Sequence, residues 1–167
     1  MLMKFRNIAV IVSCLASLTA CTNTGFNGGS NGGFSNGADG NGVFREGSPA
    51  EFQNVIGDRV FFAVDQSSLS TQASATLSEQ ASWLMSNMDY TMIIEGHADE
   101  QGTRQYNLAL GARRANAVRE FLISQGVSSD RLKTVSFGKE RPAEICSAES
   151  CYSKNRRAVT VLDNLNF

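Results

Sequence analysis

From residue 59 onwards, apolar residues recur at two different spacings, which predict strands alternating with helices. A run of strand-forming residues at 59–64 (RVFFAV) predicts the first strand. An apolar helix face follows, and its positions are Leu77, Ala81, Leu84, Met85 and Met88. A second strand contains Met92, Ile93 and Ile94 and ends at Gly96.

The remaining pattern predicts a second helix and two further strands. The second helix ends at Gly126, and its apolar positions are Leu108, Ala112, Ala115, Val118 and Leu122. The third strand contains Val135 and Phe137 and ends at Gly138, and the fourth covers 158–162, with a short helical turn expected near 149–155. The order β-α-β-α-β-β predicts an α/β (α+β) domain at 58–167, in which two helices cover one face of a four-stranded mixed sheet.

The first 21 residues have the pattern of an export signal. Lys4 and Arg6 precede an apolar run of about 11 residues, which is shorter than the roughly 18 needed to span a bilayer and is typical of a signal-peptide core. The run ends in LTAC, which resembles the lipobox of bacterial lipoproteins. That resemblance implies cleavage after residue 20 and acylation of Cys21. The alternative is an ordinary secretory signal that happens to precede a cysteine.

The net charge bears on possible binding partners, and the cysteine usage agrees with export to an oxidising compartment. Loss of residues 1–20 changes the formal net charge from −1 to about −3, which argues against binding nucleic acid or anionic lipid. Membrane attachment would then depend on the acyl chains, each buried CH₂ contributing about 0.8 kcal/mol. Cys146 and Cys151 remain, and they are candidates for a disulfide, with two free thiols or a zinc site as the alternatives.

A segment poor in apolar residues separates Cys21 from the predicted domain. Residues 22–48 contain nine glycines and five asparagines, too little apolar surface to offset the entropy of ordering the chain. We therefore expect residues 21–57 to form a lipidated cysteine and a flexible tether. About 36 Gly-rich residues have a root-mean-square span of about 30–36 Å.

The stretch GHADEQGTRQYN, residues 96–107, contains the single histidine of the chain beside two acids. A metal site needs more convergent ligands than His97 and its neighbours offer, and no serine lies in a recognisable nucleophile turn. We expect His97 to be structural, half-buried and hydrogen-bonded to a loop. Gly102 is expected to adopt a positive φ, and Thr103 is expected to cap the following helix.

Asp99 and Arg114 are the candidate binding pair. Asp99 follows a central strand, where open α/β sheets tend to hold ligands. Arg114 lies on or beside the inward stripe of the second helix, whereas Arg113 points more towards solvent. A buried arginine needs a partner, so either Arg114 forms a structural salt bridge with Asp99, or both face a pocket and each meets one end of a zwitterion. The second hypothesis expects both side chains to be open to water.

Three long segments, at 96–118, 135–143 (VSFGKERPA) and 152–159 (YSKNRRAV), resemble the OmpA-like peptidoglycan-binding domain family. The resemblance covers roughly Val60 to Leu162. It implies non-covalent binding of the diaminopimelate residue of the peptidoglycan stem peptide, with Asp99 on the ammonium and Arg114 on the carboxylate. The further binding residues that it implies are Asn107, Asp65, Thr103, and Arg157 or Arg156. Val64 replaces an aromatic residue of the family pattern, which removes a stacking contact.

The same resemblance implies a setting and partners. Members with a signal, a lipobox and a tether are anchored in the outer membrane of Gram-negative bacteria, with the domain in the periplasm. Thr22 rather than aspartate after the lipidated cysteine is typical of outer-membrane sorting. TolB, and TolA as a second candidate, are the implied protein partners, and no enzyme activity, cofactor or metal is implied. A peptidoglycan hydrolase and a purely structural lipoprotein are the alternatives.

Overall fold

The computed structural model describes residues 44–164. The predicted signal peptide (1–20), the lipidated Cys21 and most of the predicted tether lie outside these residues. Within them, no helix has the combination of length and apolar composition that crossing a bilayer requires.

The described residues form a four-stranded mixed sheet, as the sequence predicts. Its strands are β1 (Arg59–Phe61), β2 (Tyr90–His97), β3 (Leu132–Gly138) and β4 (Arg157–Asn164), in the spatial order β1-β4-β2-β3. β4 pairs antiparallel with both β1 and β2, and β2 pairs parallel with β3. The fold class is therefore confirmed.

Two long helices cover one face of this sheet and form the core with it. They are α2 (Thr71–Ser86) and α3 (Arg104–Ser124), and the predicted turn is the short helix α4 (Glu149–Asn155). Core residues that the sheet and the helices share include Met92, Ile94, Leu77, Leu84, Ala115, Val118 and Leu122.

Three positions of the predicted helix faces are exposed instead of buried. Met88 lies beyond the end of α2 and is 67% exposed, and Met85 lies at the edge of the buried stripe. Leu108 is also exposed, because the buried stripe of α3 is rotated towards Asn107 and Arg114. These two polar residues occupy inward positions that periodicity assigns to apolar side chains.

The folded unit begins earlier than the predicted boundary at residue 58. Ser48 caps a helical segment, α1 (Pro49–Glu51), which continues as a π-helical stretch (Phe52–Gly57). Phe52 is fully buried against Trp83, with ring centroids 5.0 Å apart. Glu51 Oε2 accepts hydrogen bonds from Trp83 Nε1 at 3.0 Å and from the Gly47 amide at 2.7 Å. The prediction of tether through residue 57 is therefore wrong for residues 49–57.

A close glycine contact fixes the end of β2 against α3. A Cβ at Gly96 would lie 1.9 Å from the carbonyl oxygen of Gly111, and a Cβ at Gly111 would lie 2.7 Å from the carbonyl oxygen of Gly96. No other residue type fits either position without moving the backbone. The contact brings the segment after β2 beside the first turns of α3.

Candidate binding cleft

The chain turns sharply between β2 and α3, and local chemistry explains the turn. The Ala98 amide bonds the Gly138 carbonyl at 2.8 Å, and Asp99 Oδ1 accepts from the Gln101 amide at 3.2 Å. Gly102 has φ +90°, and Thr103 Oγ1 accepts from the Tyr106 amide at 3.2 Å, capping α3. The predicted positive φ and the predicted cap are both confirmed.

An open cleft of about 260 Å³ lies beside this turn, and it is lined in part by Asp65, Asp99, Gln101, Gly102, Tyr106 and Asn107. The cleft therefore brings together three of the predicted binding residues, namely Asp65, Asp99 and Asn107. Asn107 is buried and donates to the carbonyls of Gln101 at 2.8 Å and Asp99 at 3.3 Å. Its amide holds the turn that forms one wall of the cleft.

Asp65 forms part of the opposite wall. It is the one non-glycine residue with a positive φ among residues 44–164, at 57°. Aspartate tolerates this conformation better than most residues, and non-glycine residues in it cluster at functional sites. The Tyr106 hydroxyl donates to Asp65 Oδ1, so α3 fixes the direction of this carboxylate.

Asp99 pairs with Arg156 and not with Arg114. Arg156 Nη1 lies 3.2 Å from Asp99 Oδ2, and its Nε donates to the Phe62 carbonyl at 3.2 Å. The same guanidinium also binds Glu149 through both Nη atoms. Asp99 is 7% exposed, so the expectation that it stands open to water is wrong, although its carboxylate still contributes to the cleft wall.

Arg114 is fully buried, at 0% exposure, and within residues 44–164 its guanidinium donates to three backbone carbonyls. Its Nε bonds Gln66 at 2.8 Å, Nη1 bonds His97 at 2.8 Å and Nη2 bonds Ala63 at 3.1 Å. The guanidinium carbon lies 5.1 Å from the centroid of the Phe62 ring. The predicted exposure of Arg114 is wrong, and its alternative, a salt bridge with Asp99, is not formed either, because carbonyl oxygens take the place of a carboxylate.

The charge of Arg114 is nevertheless coupled to the acids of the cleft. Burial lowers the pKa of Arg114 to about 10, and the negative charges of Asp99 and Asp65 oppose that effect. Arg156 and Arg113 act in the same direction as burial. The site therefore places two carboxylates at the cleft and an arginine charge behind them, without joining Asp99 and Arg114 directly.

His97 is more deeply buried than the sequence suggests. It is 1% exposed, it is the last residue of β2, and its ring stacks on Phe137 with centroids 5.6 Å apart. Neither ring nitrogen has a hydrogen-bond partner among the described residues, so the predicted bond to a loop is wrong. Burial, followed by the charges of Arg157 and Arg141, lowers the pKa of His97 to about 4. The ring is neutral at physiological pH.

Thr103 and Arg157 stand outside the cleft wall. Thr103 acts as the cap of α3, and buried Arg157 donates to the carbonyls of Arg141 at 3.2 Å and Asn155 at 3.4 Å. Of the two arginines that the sequence offered, Arg156 is the one that contacts Asp99. Sequence reasoning missed Tyr106 and Gln101, although both lie in the stretch that it singled out.

The cysteines and acids show no metal-binding arrangement in the described part of the chain. Cys146 and Cys151 are joined in a disulfide, with their Cα atoms 5.9 Å apart. Within residues 44–164 no group of three His, Cys, Asp or Glu side chains is arranged to hold a metal ion.

The chain belongs to the OmpA family, whose family model matches residues 61–156. Among curated proteins, it is 56% identical over 126 residues to the peptidoglycan-associated lipoprotein of Mesorhizobium japonicum, covering 75% of each chain. It is 51% identical over 158 residues to the peptidoglycan-associated lipoprotein of Agrobacterium fabrum, covering 94% of this chain and 88% of that one. The family resemblance seen in the sequence is confirmed.

Solved structures agree with the fold. The crystal structure of the peptidoglycan-associated lipoprotein from Burkholderia pseudomallei matches with a TM-score of 0.64 and 38% identity, over 66% of this chain and 95% of that one. The C-terminal domain of MotB from Helicobacter pylori matches with a TM-score of 0.60 and 19% identity, over 64% of this chain and 84% of that one. The second likeness shows the fold alone.

Proposed function

We propose that this chain is an outer-membrane lipoprotein whose periplasmic domain binds peptidoglycan without covalent chemistry. Two independent lines support the proposal. The relatives at 51–56% identity are named peptidoglycan-associated lipoproteins, and the chain has its own signal-like start, LTAC segment and Gly-rich tether. The lipid at Cys21 holds the protein in the membrane, and the tether lets the domain reach the cell wall.

The observation that carries the proposal is the cleft with the Asp65 and Asp99 carboxylates at its walls. The ligand is the diaminopimelate residue of the stem peptide, whose side chain ends in an ammonium and a carboxylate. Asp99 receives the ammonium, because its Oδ2 is shared with a single guanidinium that a second acid also binds. Asp65 adds a second negative charge at the mouth of the cleft.

Arg114 supplies the positive charge for the ligand carboxylate. Its three carbonyl bonds use three of its five N–H groups, so one hydrogen on each Nη is left for a ligand. The exposed turn at 63–66 covers the guanidinium and is closed by a bond from the Gln66 amide to the Ala63 carbonyl at 3.2 Å. Displacement of this turn would exchange the bonds to Ala63 and Gln66 for bonds to the ligand carboxylate, while the bond to His97 is kept. Until then, Arg114 holds the turn and therefore the position of Asp65.

A purely structural lipoprotein is less well supported than binding. That hypothesis relies on a salt bridge between Asp99 and Arg114, and Asp99 pairs with Arg156 instead. We infer no catalytic role, since recognition of a zwitterion by fixed charges requires no bond to form or break. TolB, with TolA as a second candidate, completes the proposal as protein partners in the Tol–Pal system of envelope integrity and cell division. TolB and peptidoglycan are expected to compete for the cleft.

Co-sedimentation with purified peptidoglycan sacculi tests the proposal. The wild-type domain should sediment with sacculi, whereas Asp99→Asn should stay in the supernatant while retaining its fold by circular dichroism. Glu120→Gln is the matched control, because Glu120 is an exposed acid near the far end of α3 that pairs with Arg119 at 3.1 Å. Equal sedimentation of Asp99→Asn and wild type would contradict the proposed site. A changed muropeptide profile in the sacculi would instead indicate a hydrolase.

A further inference from the structure

The short helix α4 depends on links to the loop that precedes it. It has seven residues, and Ala148 provides no side-chain cap. A helix of that length is not stable alone. The Cys146–Cys151 disulfide ties its first turn to the loop. At its other end, buried Asn155 accepts from the amides of Ala143 at 2.7 Å and Glu144 at 3.0 Å.

This braced helix carries an acid to the back of the cleft. Glu149 lies in the first turn of α4, and Arg156 lies immediately after its last residue. Glu149 Oε2 is 3.3 Å from Arg156 Nη1, and Glu149 Oε1 accepts from Nη2. Arg156 Nη1 in turn lies 3.2 Å from Asp99 Oδ2. A chain of contacts therefore runs from Glu149, on the helix that the disulfide braces, through Arg156 to Asp99.

Arg156 is shared between two carboxylates of different exposure. The Glu149 side chain is 64% exposed, whereas the side chains of Asp99 and Arg156 are nearly buried. Two carboxylates and one guanidinium leave one negative charge uncompensated in this cluster. Without Glu149 the cluster would be neutral, and the arginine would bind Asp99 alone.

We propose that Glu149 is a positioning residue for ligand binding: it shares Arg156 with Asp99, so that part of the Asp99 charge stays uncompensated and attracts an ammonium group. The disulfide holds Glu149 in the place where it does this. This inference rests on the proposed function, since it states that Glu149, a residue outside the cleft, controls the affinity of the cleft for amines. It adds a specificity element that lies on α4 and reaches the ligand only through Arg156.

The test compares the affinity of two soluble ligands for Glu149→Gln and wild type. One ligand is a muropeptide with a free diaminopimelate amine, and the other is the same muropeptide with that amine acetylated. Glu149→Gln should bind the free-amine ligand about three- to fivefold more weakly, because Arg156 would then neutralise more of the Asp99 charge that attracts the ammonium. Its affinity for the acetylated ligand, measured by NMR at millimolar concentration, should equal that of wild type.

Glu144→Gln is the matched control. Glu144 is an acid on the loop before α4 that pairs with Lys154 at 3.1 Å, whereas the acids that bind Arg156 are Asp99 and Glu149. Its substitution should leave both affinities unchanged. A Glu149→Gln protein that binds the free amine as tightly as wild type overturns the inference while the proposed function stands. A wild-type protein that binds neither ligand overturns the proposed function and, with it, the inference.

The role of the disulfide is tested by a double-mutant cycle. Replacing Cys146 and Cys151 by serine should weaken binding of the free-amine ligand in the same direction as Glu149→Gln. Combining both changes should cause no further loss, since the disulfide acts through Glu149. Unchanged affinity in the serine variant, or fully additive losses, would contradict that role.

Discussion

Replacement of Arg114 by alanine should destabilise the folded domain, and this effect should be measurable without any ligand. The guanidinium bonds three carbonyls, two in the turn before α2 and one at the end of β2. Its removal takes a donor from all three carbonyls, of which Ala63 keeps the bond from the Gln66 amide, and it opens a cavity beside Phe62. Each buried carbonyl left unpaired costs about 1–3 kcal/mol, and lost packing adds to this, so we expect a total of about 3–5 kcal/mol. That is a large fraction of the roughly 5–15 kcal/mol by which domains are stable.

Urea and thermal unfolding measure this loss directly. Trp83 is the single tryptophan of the chain and is buried against Phe52, so its fluorescence reports on the core. For a domain of this size, the expected loss corresponds to a fall in Tm of about 10–20 °C. Arg114→Lys should lie between alanine and wild type, because one ammonium cannot reach three carbonyls held by a planar guanidinium.

Arg113→Ala is the control for this prediction. Arg113 is the exposed neighbour of Arg114, and its guanidinium lies 5.8 Å from the centroid of the Tyr106 ring. Its loss should change stability by no more than about 0.5 kcal/mol. If Arg114→Ala unfolds at the same urea concentration as Arg113→Ala, then the carbonyl network does not hold the turn, and our interpretation of Arg114 is wrong.

Three further predictions concern the scaffold. The pKa of His97 is about 4 in the folded state, and its ordinary value of 6.5 applies in the unfolded state. As the pH falls, the imidazole of the unfolded chain is therefore protonated first. From pH 7 to pH 5 the wild type should therefore lose about 2 kcal/mol more stability in urea titrations than His97→Phe does, and parallel losses would contradict this. Phe52→Ala should cost about 3–5 kcal/mol in the same assay, and a loss below about 1 kcal/mol would return residues 49–57 to the tether. Gly96→Ala should lower Tm strongly, because its Cβ would meet the Gly111 carbonyl at 1.9 Å, and an unchanged Tm would refute the close contact.

Much of the fold follows from local patterns in the sequence. Runs of strand-forming residues and helical spacing predict all four strands and both long helices, although β1 ends at Phe61 and not at residue 64. The helical segment at 49–57 is not predicted by these patterns. It follows a Gly-rich stretch, and Phe52 is buried in a core cluster in which Trp83, 31 residues later, packs against it. Such a contact leaves no periodic trace.

In the candidate site, too, local features are predicted from the sequence and long-range contacts are not. The strand end before Asp99, the positive φ of Gly102 and the cap at Thr103 are local features, and the sequence predicts all three. The partners of the charged residues are not local. Arg114 bonds carbonyls 48 and 51 positions away, and Arg156 meets Asp99 across 57 positions. An inward arginine indicates that partners exist, but only the tertiary structure says that they are carbonyls.

The central claim is that the cleft between the 63–66 turn and the start of α3 binds diaminopimelate, and NMR titration tests it most directly. A muropeptide with a free diaminopimelate amine would be added to the ¹⁵N-labelled domain. We expect saturable amide shifts in residues 64–66 and 99–107, and their loss in Asp99→Asn. Saturable shifts confined to other surfaces, such as the groove beside Glu51 and Trp83, would contradict the claim, as would an unchanged spectrum.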